Sequence, residues 1–361
     1  MRILHILDID INNTTHGAAI MLKRMVEAQN ELVDARVFFP YKKKIANHNY
    51  GFKFYFSDSK KDFEKLCSEI KWDLIVFHYC FNIRIIPPYL TVRKKNLPYI
   101  ITSHGSFMKN VFKKNTLRKF LYKSIFLDTF VKNSKGIIFN LETERLNSYY
   151  QSKKYSVIPN FIERNNNFLL NVTNQRIRLI SISRVDLYYK KIDLFISSLE
   201  KIKHDLNPID FEYLIYGDGN PTEIRKLNNV IKKSTFRDKI HFNGPIFNDK
   251  KFHELKNSDI FIQLSSSESM SLSITEALSC GTPCFVSDMT NLEVEFSKFH
   301  CGWVTKLNQK AISENFLLAL KDYDKNKIRL RESARKYADH YFNLSKEYGK
   351  ISIDAYTSLL K

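Results

Sequence analysis

Residues 265–283 read Ser-Ser-Ser-Glu-Ser-Met-Ser-Leu-Ser-Ile-Thr-Glu-Ala-Leu-Ser-Cys-Gly-Thr-Pro, with two carboxylates, Glu268 and Glu276, separated by seven residues. The apolar run Asp259 to Leu264 predicts a strand leading in, a helix leads out, and Cys284 to Ser287 predicts a short strand after Gly281-Thr282-Pro283. A loop so placed lies at the carboxyl end of a strand, where open α/β sheets bind ligands. The first helical turn, at Ser271 and Leu272, presents backbone N–H groups that suit a diphosphate. One carboxylate before the helix and one inside it can both accept hydrogen bonds from sugar hydroxyls. A structural reading competes: Ser273-x-x-Glu276 fits a helix capping box, and Glu268 fits an ordinary loop carboxylate.

Further candidates stand at other strand ends. Ile180 to Ser183 leads to Arg184, and Lys190 and Lys191 follow. A guanidinium can bind phosphate bidentately and a lysine supplies a point charge; the alternative is a set of surface cations. In Tyr216-Gly217-Asp218-Gly219-Asn220 the glycines let the backbone turn sharply and approach a ligand, although most such turns only connect elements. His104 lies in Thr102-Ser103-His104-Gly105, after an apolar run, as a candidate catalytic group or a plain loop histidine. Thr14-Thr15-His16-Gly17-Ala18 follows the first apolar run and opens a helix. Asp8-Ile9-Asp10 has the form of a metal-binding Asp-x-Asp, but acids after a first strand are ordinary.

The elements that must position these groups alternate. Candidate strands are Arg2–Leu7, Ala35–Phe39, Asp73–His78, Pro98–Thr102, Gly136–Asn140 and Tyr155–Ile158, mostly separated by helical stretches. After an Asn-rich linker, Asn160 to Asn174, the alternation restarts with Arg178–Ser183, Phe211–Tyr216, Lys239–Phe242, Asp259–Leu264 and Cys284–Ser287. Such alternation predicts parallel sheets covered on both faces, and 361 residues suit two domains.

Lys and Arg outnumber Asp and Glu by 57 to 38, a net charge of +19. That charge favours nucleotide phosphates, nucleic acid or an anionic membrane without choosing among them. The excess concentrates in Phe107 to Gly136, where Lys109, Lys113, Lys114, Arg118, Lys119 and Lys123 interleave with Phe112, Phe120, Tyr122 and Phe126, and Leu117, Phe120, Leu121 and Ile125 fall at helical spacing. A basic amphipathic helix of this kind can lie on anionic lipid; otherwise it is a core-facing stripe with a solvated basic face. The opening residues read as a buried strand rather than a secretory signal, and no run has the length of a membrane span. Five cysteines in no metal-binding spacing point to a reduced, cytoplasmic protein.

Taken in order, these segments resemble the retaining GT-B glycosyltransferases of family four. The resemblance rests on Val157-Ile158-Pro159-Asn160, Arg184 with Lys190, Gly217-Asp218-Gly219, Phe242-Asn243-Gly244-Pro245-Ile246, the Glu268–Glu276 pair with Gly281-Thr282-Pro283, and Gly302-Trp303-Val304. Ser183 and Lys191 replace family glycines, which leaves open whether Lys190 or Lys191 reaches the phosphate.

The resemblance implies two Rossmann-like domains facing each other across a cleft: 1–165 for the acceptor, 166–341 for the nucleotide-sugar, and 342–361 as a helix crossing back. It implies a UDP- or GDP-sugar as co-substrate, no bound cofactor and no metal. Arg184 and Lys190 would hold the diphosphate, with Gly17 and Gly217 close by. Ile246 would meet the base, Glu276 the ribose, and Glu268 and His104 the sugar. The expectation is a hexosyltransferase acting with retention on a lipid-linked or polysaccharide acceptor, cytoplasmic and peripheral at the membrane, in assembly of capsule or lipopolysaccharide. The alternatives are a non-catalytic GT-B partner subunit, another GT-B enzyme such as an epimerase or phosphorylase, and a basic nucleic-acid-binding protein. No helix-turn-helix, zinc or RNA-binding signature supports the last.

Overall fold

The computed structural model describes residues 1–9, 17–41, 51–113, 116–151, 153–160 and 176–361, with the backbone alone at 17, 18 and 343–345. It contains two compact units, Met1–Phe161 with Lys346–Lys361, and Ile162–Ser345.

The first unit is built on a seven-stranded sheet in the order β3-β2-β1-β4-β5-β6-β7. Its strands are β1 (Arg2–Leu7), β2 (Asp34–Phe39), β3 (Phe54–Phe56), β4 (Leu74–His78), β5 (Tyr99–Thr102), β6 (Ile137–Phe139) and β7 (Tyr155–Val157), paired in parallel throughout. Runs such as Ile3-Leu4 and Leu74 to Phe77 are fully buried, as central parallel strands covered by helices must be. Strand β3 is an addition to the strands expected from the sequence. Three half-buried aromatics give too short a pattern for periodicity to identify.

The helix Tyr348–Leu360 belongs to this unit and lies against the helix Gly17–Asn30. At Gly349 an added Cβ would stand 2.3 Å from the Ala28 carbonyl oxygen, so glycine permits the close approach. Tyr348, Tyr356 and Leu359 bury themselves in the same cluster as Ile3, Leu22 and Val76.

The second unit carries six parallel strands in the order β10-β9-β8-β11-β12-β13. They are β8 (Ile177–Ile182), β9 (Phe211–Tyr216), β10 (Ile240–Phe242), β11 (Ile260–Gln263), β12 (Cys284–Ser287) and β13 (Gly302–Thr305). Strand order reverses between β8 and β11, so the loops after these two strands open beside each other. That is the switch point at which doubly wound sheets bind ligands.

Candidate active site

The loop after β8 and the loop after β11 are tied together. Asp186 caps the short helix Leu187–Lys190 by accepting from the Tyr189 N–H at 3.0 Å. The Ser266 N–H donates to the Tyr189 carbonyl at 2.7 Å. Lys190 Nζ and Glu268 Oε1 pair at 2.5 Å, with both side chains mostly buried. Lys191 takes a left-handed conformation, φ 51°, and its ammonium lies 4.9 Å from the centre of the Tyr188 ring. Its backbone therefore does what a glycine does elsewhere, and Lys190 is the lysine that meets Glu268. Arg184 is 59% exposed at the side chain and stands 3.3 Å from Asp186.

Glu268 is held from three further directions. Gln263 Nε2 donates to its Oε1 at 3.1 Å, Asn291 Nδ2 donates to its backbone carbonyl at 2.6 Å, and its own N–H donates to the Met289 carbonyl at 3.2 Å. Gln263, at the end of β11, also donates to Ser271 Oγ at 2.9 Å. Ser271 is the N-cap of the helix Leu272–Ser279, yet its hydroxyl makes no capping bond. The first-turn N–H groups of that helix thus keep their anion-attracting character.

The capping-box alternative fails here. Ser273 lies inside the helix rather than at its cap, and Glu276 pairs instead with Lys251 at 2.6 Å from the helix Asn248–Lys256.

Gly217 serves packing between loops. An added Cβ would lie 1.9 Å from the Ser183 carbonyl oxygen, and its N–H donates to Gly244 at 2.8 Å. Ser183 and Val185 are bonded to Tyr216 and Asp218, so the Arg184 loop and the Gly217-Asp218-Gly219 loop form one rigid edge. Ile246, half-buried, follows Gly244 and Pro245.

In the first unit, His104 follows β5 with φ 44° and Gly105 with φ 79°. The turn is gripped by Glu144, which is fully buried. Its Oε1 accepts from Ser103 Oγ at 2.5 Å and the Gly105 N–H at 2.7 Å, and its Oε2 accepts from the Asn140 N–H at 2.7 Å. Burial pushes the Glu144 pKa up, and these donors oppose the shift. His104 stacks on Tyr79 with ring centres 4.8 Å apart. It also lines a pocket within this unit with Thr102, Asn140, Asn160 and Tyr356.

Gly17 opens the helix Gly17–Asn30, whereas His16 and Asp10 lie outside the described residues. Asp8 faces Arg84 at 3.3 Å. Among the described residues no group of three or more His, Cys, Asp or Glu is arranged to hold a metal ion.

The basic segment corrects one expectation. Lys119 does not join an outward cationic face: its Nζ donates to the Val111 carbonyl at 2.6 Å, while Lys123 pairs with Asp128 at 2.8 Å. Lys114 lies outside the described residues. Leu117, Leu121 and Ile125 are 75%, 52% and 77% exposed, so this apolar stripe does not face the core. No helix among the described residues is long and apolar enough to cross a membrane.

Gln263, Lys251 and Glu144 were not singled out by sequence reasoning. The signal for Gln263 was a polar residue ending an otherwise apolar strand. Lys251 and Glu144 sit in polar helical stretches that carry none.

Residues 161–339 match the family described as Glycosyl transferases group 1. A comparison of the sequence with curated proteins gave no match. Among solved structures, the fold is similar to that of a glycosyltransferase from Rickettsia africae ESF-5, with 16% identity, 100% of this chain and 98% of that one covered, and a TM-score of 0.73. It is also similar to Anabaena Alr3699/HepE in complex with UDP-glucose, at 15% identity over 98% and 100% of the chains with a TM-score of 0.74. A third similar structure is WaaG, a glycosyltransferase involved in lipopolysaccharide biosynthesis, at 15% identity over 97% and 99% with a TM-score of 0.70. The fold, with its two parallel-sheet Rossmann-like domains, is GT-B.

Proposed function

We propose that the protein is a retaining glycosyltransferase that moves a sugar from a nucleoside-diphosphate donor to a hydroxyl of a lipid-linked or polysaccharide acceptor. The observation that carries this reading is the Lys190–Glu268 pair where strand order reverses between β8 and β11, beside a helix start whose cap residue leaves its first turn to an anion. The family match over residues 161–339 supports it.

Arg184, Lys190 and the first turn at Ser271 and Leu272 bind the diphosphate, with Gly17 and Gly217 close by. Glu276 takes the ribose hydroxyls and the backbone at Ile246 meets the base. Glu268 orients the sugar, and His104 faces it near the reacting carbon. The acceptor oxygen bonds to the anomeric carbon on the face from which the diphosphate departs. The carbon–oxygen bond to phosphate breaks, its electron pair stays on the phosphate oxygen, and that oxygen takes the hydroxyl proton. Preorganised cations favour this step because negative charge grows on the leaving group. They carry that charge without calling for a metal.

The exposed Leu117, Leu121 and Ile125, with Lys113 and Arg118 beside them, favour a peripheral site on the inner face of an anionic membrane. The similarity in fold to WaaG fits a role in cell-surface polysaccharide assembly.

Thermal unfolding with a set of UDP- and GDP-sugars tests the proposal. A true donor at one hundred times its Kd stabilises by roughly 2.7 kcal/mol. Absence of any stabilised combination, or full transfer activity in Glu268→Gln, overturns the reading.

A further inference from the structure

A chain of hydrogen bonds runs through the interior of the first unit. His104 Nε2 and His78 Nδ1 stand 2.9 Å apart, His78 Nε2 and His5 Nδ1 2.9 Å apart, and His5 Nε2 and Gln29 Oε1 2.8 Å apart. Gln29 Nε2 then donates to Ser352 Oγ at 2.9 Å, and Ser352 Oγ donates to the Gly349 carbonyl at 2.9 Å. Five residues from four strand or helix segments and one loop are linked in a line. His5, Gln29, His78 and Ser352 have no exposed surface.

The line has a direction, which its far end sets. Ser352 spends its only hydrogen on Gly349, so it can only accept from Gln29, and the Gln29 amide nitrogen must face it. The Gln29 carbonyl oxygen therefore faces His5, whose Nε2 must carry a hydrogen to donate. A neutral imidazole has one donor and one acceptor nitrogen. Burial holds His5 and His78 neutral, with the His5 pKa lowered to about 4 and that of His78 lowered as well. His5 Nδ1 is then an acceptor, which places a hydrogen on His78 Nε2. His78 Nδ1 is an acceptor in turn, which places a hydrogen on His104 Nε2.

We propose that Gln29, His5 and His78 are positioning residues that fix the tautomer of His104, so that Nε2 carries the proton and Nδ1 is its acceptor nitrogen. The consequence for chemistry rests on the reading that His104 faces the donor sugar. There, His104 Nδ1 is the nitrogen that accepts a hydrogen bond from a sugar hydroxyl or amide N–H. The orientation is controlled from the helix Tyr348–Leu360, far along the chain from His104.

Long-range proton–nitrogen correlation spectra of the full chain, labelled with 15N-histidine at neutral pH, read each tautomer directly, because protonated and unprotonated ring nitrogens resonate far apart. His5→Gln, His78→Gln and His104→Gln assign the signals. The expected parent pattern is Nε2–H at all three residues. Gln29→Met keeps the bulk and removes the acceptor, and should draw the paired nitrogen shifts of His5, His78 and His104 toward one another as both tautomers become populated. Nδ1–H at His78 or His104 in the parent overturns the proposal. So does a folded Gln29→Met protein with unchanged histidine shifts; if that variant does not fold, the parent spectrum decides alone. These spectra need no nucleotide-sugar, so the sugar-facing role of His104 is judged apart: it fails if His104→Ala transfers sugar at the parent rate.

Discussion

Mild acid should destabilise the first unit through its buried histidines. His5 has no exposed surface, and burial lowers its pKa from 6.5 to about 4. The folded unit keeps the ring neutral while the unfolded chain takes up a proton below pH 6.5. Stability from this group is therefore complete above that pH and is lost as pH falls toward 4. From about pH 7.5 to about pH 5 the loss from His5 alone is about 2 kcal/mol. His78 is shifted in the same direction and adds to it. Glu144 works the other way, since its raised pKa means the folded state gains protons first as pH falls. His5→Gln isolates the histidine, because Glu144 is common to both proteins. The assay is urea unfolding by tryptophan fluorescence in a Trp303→Phe background, where Trp72, buried in the first unit, reports alone. Parent stability should fall by about 2 kcal/mol more than that of His5→Gln over this range. Equal falls in the two proteins would refute the argument that a neutral His5 is built into the core.

Four other outcomes are expected. Arg184→Ala should weaken UDP or GDP binding by about 1.5–3 kcal/mol in titration calorimetry, with Lys190→Ala also impaired and Lys191→Ala milder, since the last ammonium lies over Tyr188. Glu276→Gln should lower nucleotide affinity and Glu268→Gln should lower turnover, a split that steady-state kinetics and calorimetry together resolve. Gly217→Ala should cost roughly 1–3 kcal/mol in denaturant unfolding, because its Cβ collides with the Ser183 backbone and not with a yielding side chain. Changing Leu117, Leu121 and Ile125 together to Ser should release the protein from anionic liposomes in a flotation assay, and parent binding should weaken as salt rises.

Most of the fold could be read from the sequence because buried parallel strands leave uninterrupted apolar runs, and several, such as Arg2–Leu7 and Phe211–Tyr216, matched to the residue. The loops after β8 and β11 were equally accessible, since Arg184, Lys190, Glu268 and Glu276 stand in local patterns. What escaped depends on long-range contact. Lys251 meets Glu276 across 25 positions and His5 meets His78 across 73. A histidine inside Ile3-Leu4-His5-Ile6-Leu7 is nevertheless a sign in itself, because a polar side chain in a strand buried on both faces must find a partner. The exposure of Leu117, Leu121 and Ile125 was not decidable from spacing, which fixes a common face but not what that face meets.

The first unit is discontinuous along the chain, and synthesis must respect that. Residues 1–161 leave the ribosome before the second unit begins, yet Tyr348, Ser352, Tyr356 and Leu359 emerge only after it is finished. Until then the helix Gly17–Asn30 lacks its packing partner, Gln29 lacks the hydroxyl that orients it, and apolar surface stays open. The second unit is contiguous and can close as it emerges, since domains fold as units during synthesis. The part of the protein made first is thus completed last, and a chain halted before Tyr348 carries a finished second unit beside an unsealed first one.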